Sequence, residues 1–146
     1  MTDNSTAQSN QAGLQILLVD DSEAMQGHIL ESLGGIGGVA EIRVAPDVPA
    51  GLRLLQQRRA DLLILDVELP GQSGIDLLKI ARRRDEATAI IMFSIHDHPT
   101  LRQKCADLGA DFFFHKVTEF EKLAEVCREL IQRRLVPGAG ANPANS

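Results

Sequence analysis

The chain has 146 residues, 44% of them hydrophobic, which suits one domain with a buried core and is too short for two. Its formal net charge of -5 argues against a surface that binds nucleic acid or an anionic membrane, because either would need a basic face. The two cysteines have no CxxC spacing, which predicts reduced thiols and suits a cytoplasmic protein. The sequence has no leader-like start and no run of about 18 apolar residues, which predicts that the protein does not insert into a membrane.

Short apolar segments alternate with amphipathic segments along the chain. The predicted strands cover residues 14–19, 39–44, 61–66, 89–94 and 111–115. Three of them, within LQILLVD, DLLILD and AIIMFS, are almost continuously apolar, as expected for parallel strands covered by helices on both faces. The segments that follow the strands have helical spacing. The sequence therefore predicts an α/β, flavodoxin-like (βα)5 fold, a doubly wound parallel five-stranded sheet with strand order 2-1-3-4-5.

Local signals predict where helices and the domain begin and end. Glycine pairs at 34–35 and 37–38 end the first helix, and Asp97 before Pro99 suits a helix start. Thr118 with Glu121 predicts a capping box for the last helix. Residues 1–13 and 136–146 are polar or rich in Gly, Pro and Ala, so we expect flexible tails around a domain at 14–135.

Basic clusters fall where three helices are predicted to end, at 58–59, 82–84 and 133–134. Cations at a helix carboxyl end complement its dipole. We therefore interpret these arginines as solvated helix ends rather than as a nucleic-acid surface.

Polar side chains follow four of the predicted strands. Asp20 and Asp21 end the first strand, Asp66 the third and Ser94 the fourth, and Lys116 follows the fifth. Each alone has an ordinary explanation, since Asp often caps a helix and a lone Lys is often only solvated. The carboxyl ends of parallel strands share one edge of a sheet, however, and ligands bind at that edge. Their joint occurrence in order predicts one functional site.

The residue types at this edge suggest a particular chemistry. Three crowded carboxylates repel one another unless a cation is present, and hard oxygen ligands suit Mg²⁺. A carboxylate beside Mg²⁺ and Lys116 can attack phosphorus, with Ser94 donating a hydrogen bond to the phosphoryl group. The product would be an acyl phosphate.

The sequence resembles the receiver-domain family of two-component response regulators. The matching stretches are LLVDDSEAM at 17–25, LDVELPGQSG at 65–74, IIMFS at 90–94 and GADFFFHK at 109–116. The resemblance implies that Asp66 is phosphorylated, that Asp21 binds Mg²⁺ directly and that Asp20 holds it partly through water. It also implies that the main-chain carbonyl of Glu68 completes the protein ligands.

The same resemblance implies the remaining roles and the partners. Ser94 and Lys116 would contact the phosphoryl oxygens, and Ser94 with Phe113 would switch the surface. The donor would be a sensor histidine kinase or a phosphotransfer protein. We expect no output domain after residue 136, and therefore a stand-alone receiver that signals to an unknown downstream protein or passes the phosphoryl group on.

Three positions depart from the family pattern. Val117 follows Lys116 where most receivers have proline, which leaves open whether that peptide bond is cis. Ile95 stands where Ala or Gly is usual, so Glu68, Ile95 and His96 are expected to border and gate access to Asp66. Phe113 lacks a tyrosine hydroxyl, so its switching would rely on burial alone.

Weaker candidates have ordinary interpretations. His96 and His98 flank the site and offer a possible metal pair, but solvent-facing side chains are the expectation. His28 on the first helix is expected at the surface rather than as a phosphodonor.

Two other functions compete with a phosphoacceptor. One is a small phosphohydrolase that uses Asp66 as its nucleophile, in the manner of haloacid-dehalogenase-like proteins. Those enzymes carry a second Asp two residues later, where this chain has Glu68, and they need a cap and a longer chain. The other is a receiver-like scaffold that binds partners without phosphorylation, which the intact acidic set, Ser94 and Lys116 disfavour.

Overall fold

A computed structural model describes residues 13–135, so the predicted tails, apart from Gly13, lie outside the described residues. Five strands alternate with five helices, in the order β1 Leu14–Val19, α1 Glu23–Gly34, β2 Val39–Ala45, α2 Val48–Gln57, β3 Leu62–Asp66, α3 Gly74–Arg84, β4 Ala89–Ser94, α4 Pro99–Asp107, β5 Phe112–His115 and α5 Lys122–Leu135. The strands form one parallel sheet in the order β2-β1-β3-β4-β5, which confirms the predicted fold. Within residues 13–135, no helix has the length and apolar character needed to cross a membrane.

The sheet separates two hydrophobic clusters, because successive strand residues point to opposite faces. On one face, Leu17 and Leu65 pack with side chains from α2, α3 and α4. On the other face, Leu18, Ile64 and Phe93 pack with side chains from α1 and α5. The central strands are therefore buried on both sides, and this is why their sequences are almost continuously apolar rather than alternating.

The carboxyl end of α1 lies where the sequence predicts it, whereas the starts of α4 and α5 do not. Helix α1 ends at Gly34 with Gly35 as its C-cap, as predicted. Helix α4 has His98 as its N-cap and Pro99 as its first residue, so the predicted start at Asp97 is wrong. Helix α5 begins at Lys122, after a series of turns, so the predicted capping box at Thr118 does not open it.

Arg82, at the end of α3, ties this helix to the amino-terminal ends of β4 and β5. Its side chain is only 19% exposed, so the expectation of a solvated cation is wrong at this position. The guanidinium donates to the carbonyls of Gly109 at 2.9 Å, Thr88 at 2.8 Å and Glu86 at 2.9 Å, and to Asp111 Oδ2 at 2.8 Å. One cation therefore satisfies acceptors on two segments, the one that precedes β4 and the one that precedes β5.

Candidate functional site

The predicted polar residues meet at the carboxyl edge of the sheet. Strands β1, β3, β4 and β5 are successive neighbours, and their registers align Val19 with Leu65 and Ser94 with His115. The residues that end these strands, or directly follow them, are therefore brought side by side. The residues gathered in this way are Asp20, Asp21, Asp66, Ser94 and Lys116.

Lys116 bridges two buried carboxylates. Its Nζ lies 2.8 Å from Asp20 Oδ2 and 3.0 Å from Asp66 Oδ2. Asp20 is 0% exposed and Asp66 is 3% exposed, so both charges are held away from bulk water. Burial raises the pKa of Asp66 to about 6, although Lys116 acts in the opposite direction. Burial would lower the pKa of Lys116, but its ion pairs with Asp20 and Asp66 outweigh this and raise it.

Three carboxylates form a compact acidic cluster beside this lysine. One oxygen from each of Asp20, Asp21 and Asp66 lies within 4.8 Å of the others. Asp20 Oδ1 accepts the N–H of Ser22 at 2.9 Å, whereas Asp21 is exposed and makes no recorded ion pair or hydrogen bond within residues 13–135. One ammonium cannot neutralise three carboxylates, so the cluster favours a cation. An all-oxygen donor set of this kind fits Mg²⁺.

Ser94 is hydrogen-bonded to Glu68, a contact that the sequence analysis missed. The buried Ser94 hydroxyl donates to the Glu68 carboxylate, at 3.1 Å from Oε1 and 3.2 Å from Oε2. Ser94 Oγ also accepts the N–H of His96 at 2.9 Å, and the Glu68 N–H donates to Asp66 Oδ1 at 3.0 Å. The Glu68 backbone therefore contacts Asp66, and the Glu68 carboxylate is bound to the hydroxyl group that is expected to contact a phosphoryl oxygen.

Phe113 is half-buried on the α2–α4 face and is held by Arg102 of α4. The guanidinium carbon lies 4.8 Å from the centroid of the Phe113 ring, and Nη1 donates to the Phe113 carbonyl at 3.0 Å. Arg102 also donates to Glu119 Oε1 at 3.1 Å. The backbone N–H of His115, and then Arg102, lower the pKa of Glu119. Nothing in the sequence marked Arg102 or Glu119, because each resembles an ordinary surface charge.

The weaker candidates lie at the surface. Ile95 is 55% exposed directly after Ser94. The exposed rings of His96 and His98 stack at 6.1 Å, which agrees with solvent-facing side chains. His28 is exposed and lies edge-on to Phe120 at 5.6 Å, as expected for a surface residue.

Comparisons with known proteins agree on one family. A family model for the response regulator receiver domain matches residues 16–128. A protein-glutamate methylesterase/protein-glutamine glutaminase 2 of Koribacter versatilis is 31% identical over 134 residues, 89% of this chain and 37% of that protein. The two-component response regulator PhoP of Pseudomonas aeruginosa is 27% identical over 120 residues, 82% of this chain and 52% of that protein. This chain spans about half the length of such curated relatives.

A solved structure gives the same result for the fold. The chemotaxis protein CheY4 of Vibrio cholerae is 26% identical and superimposes with a TM-score of 0.73. The superposition covers 81% of this chain and 98% of that one.

Proposed function

Because this chain belongs to the response-regulator receiver family of two-component signalling, we propose that it accepts a phosphoryl group on Asp66 in a Mg²⁺-dependent reaction. The observation that carries the proposal is the buried Asp66 carboxylate, 3.0 Å from Lys116 Nζ and inside an acidic cluster that fits Mg²⁺. The donor would be a sensor histidine kinase or a phosphotransfer protein. The phosphorylated chain would then act on a downstream protein by contact, or pass the group on.

In the proposed step, an oxygen of the Asp66 carboxylate attacks the phosphorus of the donor. An O–P bond forms, the bond from phosphorus to the donor's nitrogen or oxygen breaks, and the leaving group takes that electron pair. The Lys116 ammonium would stabilise the charge that builds up on the phosphoryl oxygens. The Ser94 hydroxyl would turn from Glu68 to donate to one of those oxygens. The product is a mixed anhydride on Asp66.

The proposed metal site would use the three carboxylates of the acidic cluster. Asp20, Asp21, Asp66 and the main-chain carbonyl of Glu68 would hold Mg²⁺, which when bound supplies neutralising charge next to the phosphoryl oxygens. Asp20 and Asp66 each bind Lys116 as well, so the same carboxylates would orient both cations.

The other proposed roles belong to the surroundings of the site. Ser94 and Phe113 would respond to phosphorylation, and Arg102 would connect Phe113 to α4. Glu68, Ile95 and His96 would border the approach of water and of small donors to the phosphorylated residue.

Incubation with acetyl phosphate tests the proposal. We expect covalent labelling of Asp66 with Mg²⁺ present, and labelling at least about tenfold slower after chelation of the metal, since unneutralised carboxylates repel the anionic donor. Intact-mass analysis gives the rate, and peptide mapping after borohydride reduction gives the residue. Labelling of another residue, or an equal rate without the metal, would contradict the proposal.

Asp21→Ala is expected to weaken Mg²⁺ binding about tenfold, and more than Asp20→Ala. The reason is that Asp20 already binds Lys116 and the Ser22 N–H, whereas Asp21 has no such recorded partner within residues 13–135. Calorimetric titration with MgCl₂ measures both. Glu23→Ala, which removes an exposed carboxylate on α1 outside the cluster, controls for net charge. Equal or reversed effects of the two aspartate variants would exclude Asp21 as the main ligand.

A further inference from the structure

His115 closes the loop that carries Lys116 with three of its own polar groups. Its ring Nδ1 accepts the N–H of Val117 at 3.1 Å and the N–H of Thr118 at 3.2 Å. Its carbonyl accepts the N–H of Glu119 at 3.1 Å, and its N–H donates to Glu119 Oε1 at 2.9 Å. The Lys116–Val117 peptide bond within this loop is trans, since no cis peptide bond occurs in residues 13–135. These contacts define the backbone path on either side of Lys116.

At the ends of the neighbouring strands, side-chain oxygen atoms accept the backbone N–H groups of the loops that follow. Asp20, Asp66 and Ser94 each accept the N–H of the residue two positions later, at 2.9, 3.0 and 2.9 Å. A carboxyl or hydroxyl oxygen keeps a lone pair whether or not it carries a proton. A protonated imidazole has none, so the acceptor at the end of β5 is the one that a proton can remove.

We propose that His115 is a positioning residue for Lys116, whose neutral imidazole holds the loop that places the ammonium against Asp66 and releases that loop on protonation. The proposal rests on the function proposed above, because Lys116 is expected to contact the phosphoryl group. Nδ1 accepts both N–H groups only in the neutral ring protonated at Nε2. With a proton on Nδ1, three donors would face one another. Lys116 directly follows His115, so the change would reach the site through one peptide unit.

The other charged groups around this loop are already paired with one another. Lys116 lies between Asp20 from β1 and Asp66 from β3. The Glu119 carboxylate is bound by Arg102 from α4 and lies 3.9 Å from Lys122 Nζ of α5. The structure, within residues 13–135, gives the Val117 and Thr118 N–H groups the imidazole as their acceptor. The imidazole is therefore the group whose protonation would remove the acceptor of the Val117 and Thr118 N–H groups.

Three proteins test the proposal: the wild type, His115→Asn and His115→Leu. The Asn variant offers an amide oxygen near the place of Nδ1 and does not titrate, whereas Leu fills similar space and accepts no hydrogen bond. The rate of Mg²⁺-dependent uptake from acetyl phosphate is measured at about pH 7.5 and about pH 5.5. At the higher pH we expect Asn to match the wild type and Leu to be about three- to tenfold slower.

The decisive result is the ratio of the wild-type rate to the Asn rate. At the lower pH we expect it to fall about threefold or more, since only the wild type loses its acceptor. Asp66 and the other three histidines are present in both proteins, so the ratio isolates the effect of the side chain at position 115. A ratio that does not change with pH would overturn the proposal, and so would a Leu variant as fast as the wild type.

Amide exchange separates this proposal from the proposed function. Protection factors of Val117 and Thr118 are measured at both pH values without Mg²⁺ or phosphate. We expect protection to fall at the lower pH in the wild type and to persist in the Asn variant. If none of the three proteins takes up phosphate, the proposed function fails, and the exchange result alone decides whether the neutral His115 ring holds the loop. If the Leu variant does not fold, the comparison of wild type with Asn decides.

Discussion

Asp66→Asn is expected to abolish phosphoryl labelling and, without Mg²⁺, to stabilise the fold. Labelling disappears because the amide is not a nucleophile toward phosphorus. Stability increases because the wild-type carboxylate is buried beside Asp20, and burial raises its pKa from the ordinary 3.8 to about 6. Asn at this position keeps an acceptor for the Glu68 N–H, and Lys116 keeps its ion pair with Asp20. We expect the metal-free variant to gain about 1–3 kcal/mol at neutral pH.

The pH dependence of the wild type has a definite sign. A carboxyl whose pKa is higher in the folded state holds its proton more tightly there, so unfolding releases a proton. Without metal, the free energy of unfolding should therefore fall as the pH rises from the ordinary pKa of 3.8 to about 6. Above that range this contribution is constant. The Asp66→Asn variant should lack this decline.

Urea denaturation in EDTA, followed by circular dichroism across this pH range, measures both effects. Asp21→Asn is the matched control, because it removes an exposed carboxylate from the same cluster and should change stability by less than about 0.5 kcal/mol. If the Asp66→Asn variant is less stable than the wild type, or if both have the same pH profile, burial of the Asp66 carboxylate does not destabilise the fold.

Gly74→Ala is expected to cost about 3 kcal/mol or more, enough to prevent stable folding of a marginal domain. A Cβ at this first residue of α3 would lie 1.9 Å from the Asp66 carbonyl oxygen and 3.2 Å from Val67 Cα. These atoms belong to the backbone at the end of β3, so no side-chain rotation relieves the clash. The Gly74 N–H also donates to the Val67 carbonyl at 2.9 Å, which fixes the approach of α3 to the strand.

Gly27→Ala is the matched control. Gly27 lies inside α1, and a Cβ there meets nothing within 4 Å. Alanine favours a helix by about 1 kcal/mol over glycine, so this variant should be more stable than the wild type. Urea denaturation of the two variants should give opposite signs. If Gly74→Ala is tolerated as well as Gly27→Ala, the close packing of α3 against the end of β3 is not required for folding.

The fold and the polar set of the site follow from short-range patterns. The predicted bounds of β1 and β4 match the structure, because both are largely apolar and the apolar run stops at Asp20 in one case and at Ser94 in the other. The convergence of Asp20, Asp66 and Lys116 could be predicted because parallel strands place their carboxyl ends at one edge. This inference needed only strand order and direction, and no knowledge of any individual contact.

The remaining contacts depend on long-range geometry that short patterns do not encode. Ser94 and Glu68 are separated by 26 positions, and although the sequence placed both at the site, nothing in it pairs their two side chains. The capping box at Thr118 fits the local rule, yet the Thr118 N–H donates to His115 Nδ1 in a turn before α5. Local propensity competes there with the loop closed by His115, and the loop prevails.

Arg82 has a consequence for how this domain can change shape. Because its guanidinium joins α3 to the backbone before β4 and β5, these segments should open together as one cooperative unit rather than fray separately. This end of the sheet lies opposite the edge that carries Asp66, so the Arg82 hydrogen bonds need not break when that edge rearranges.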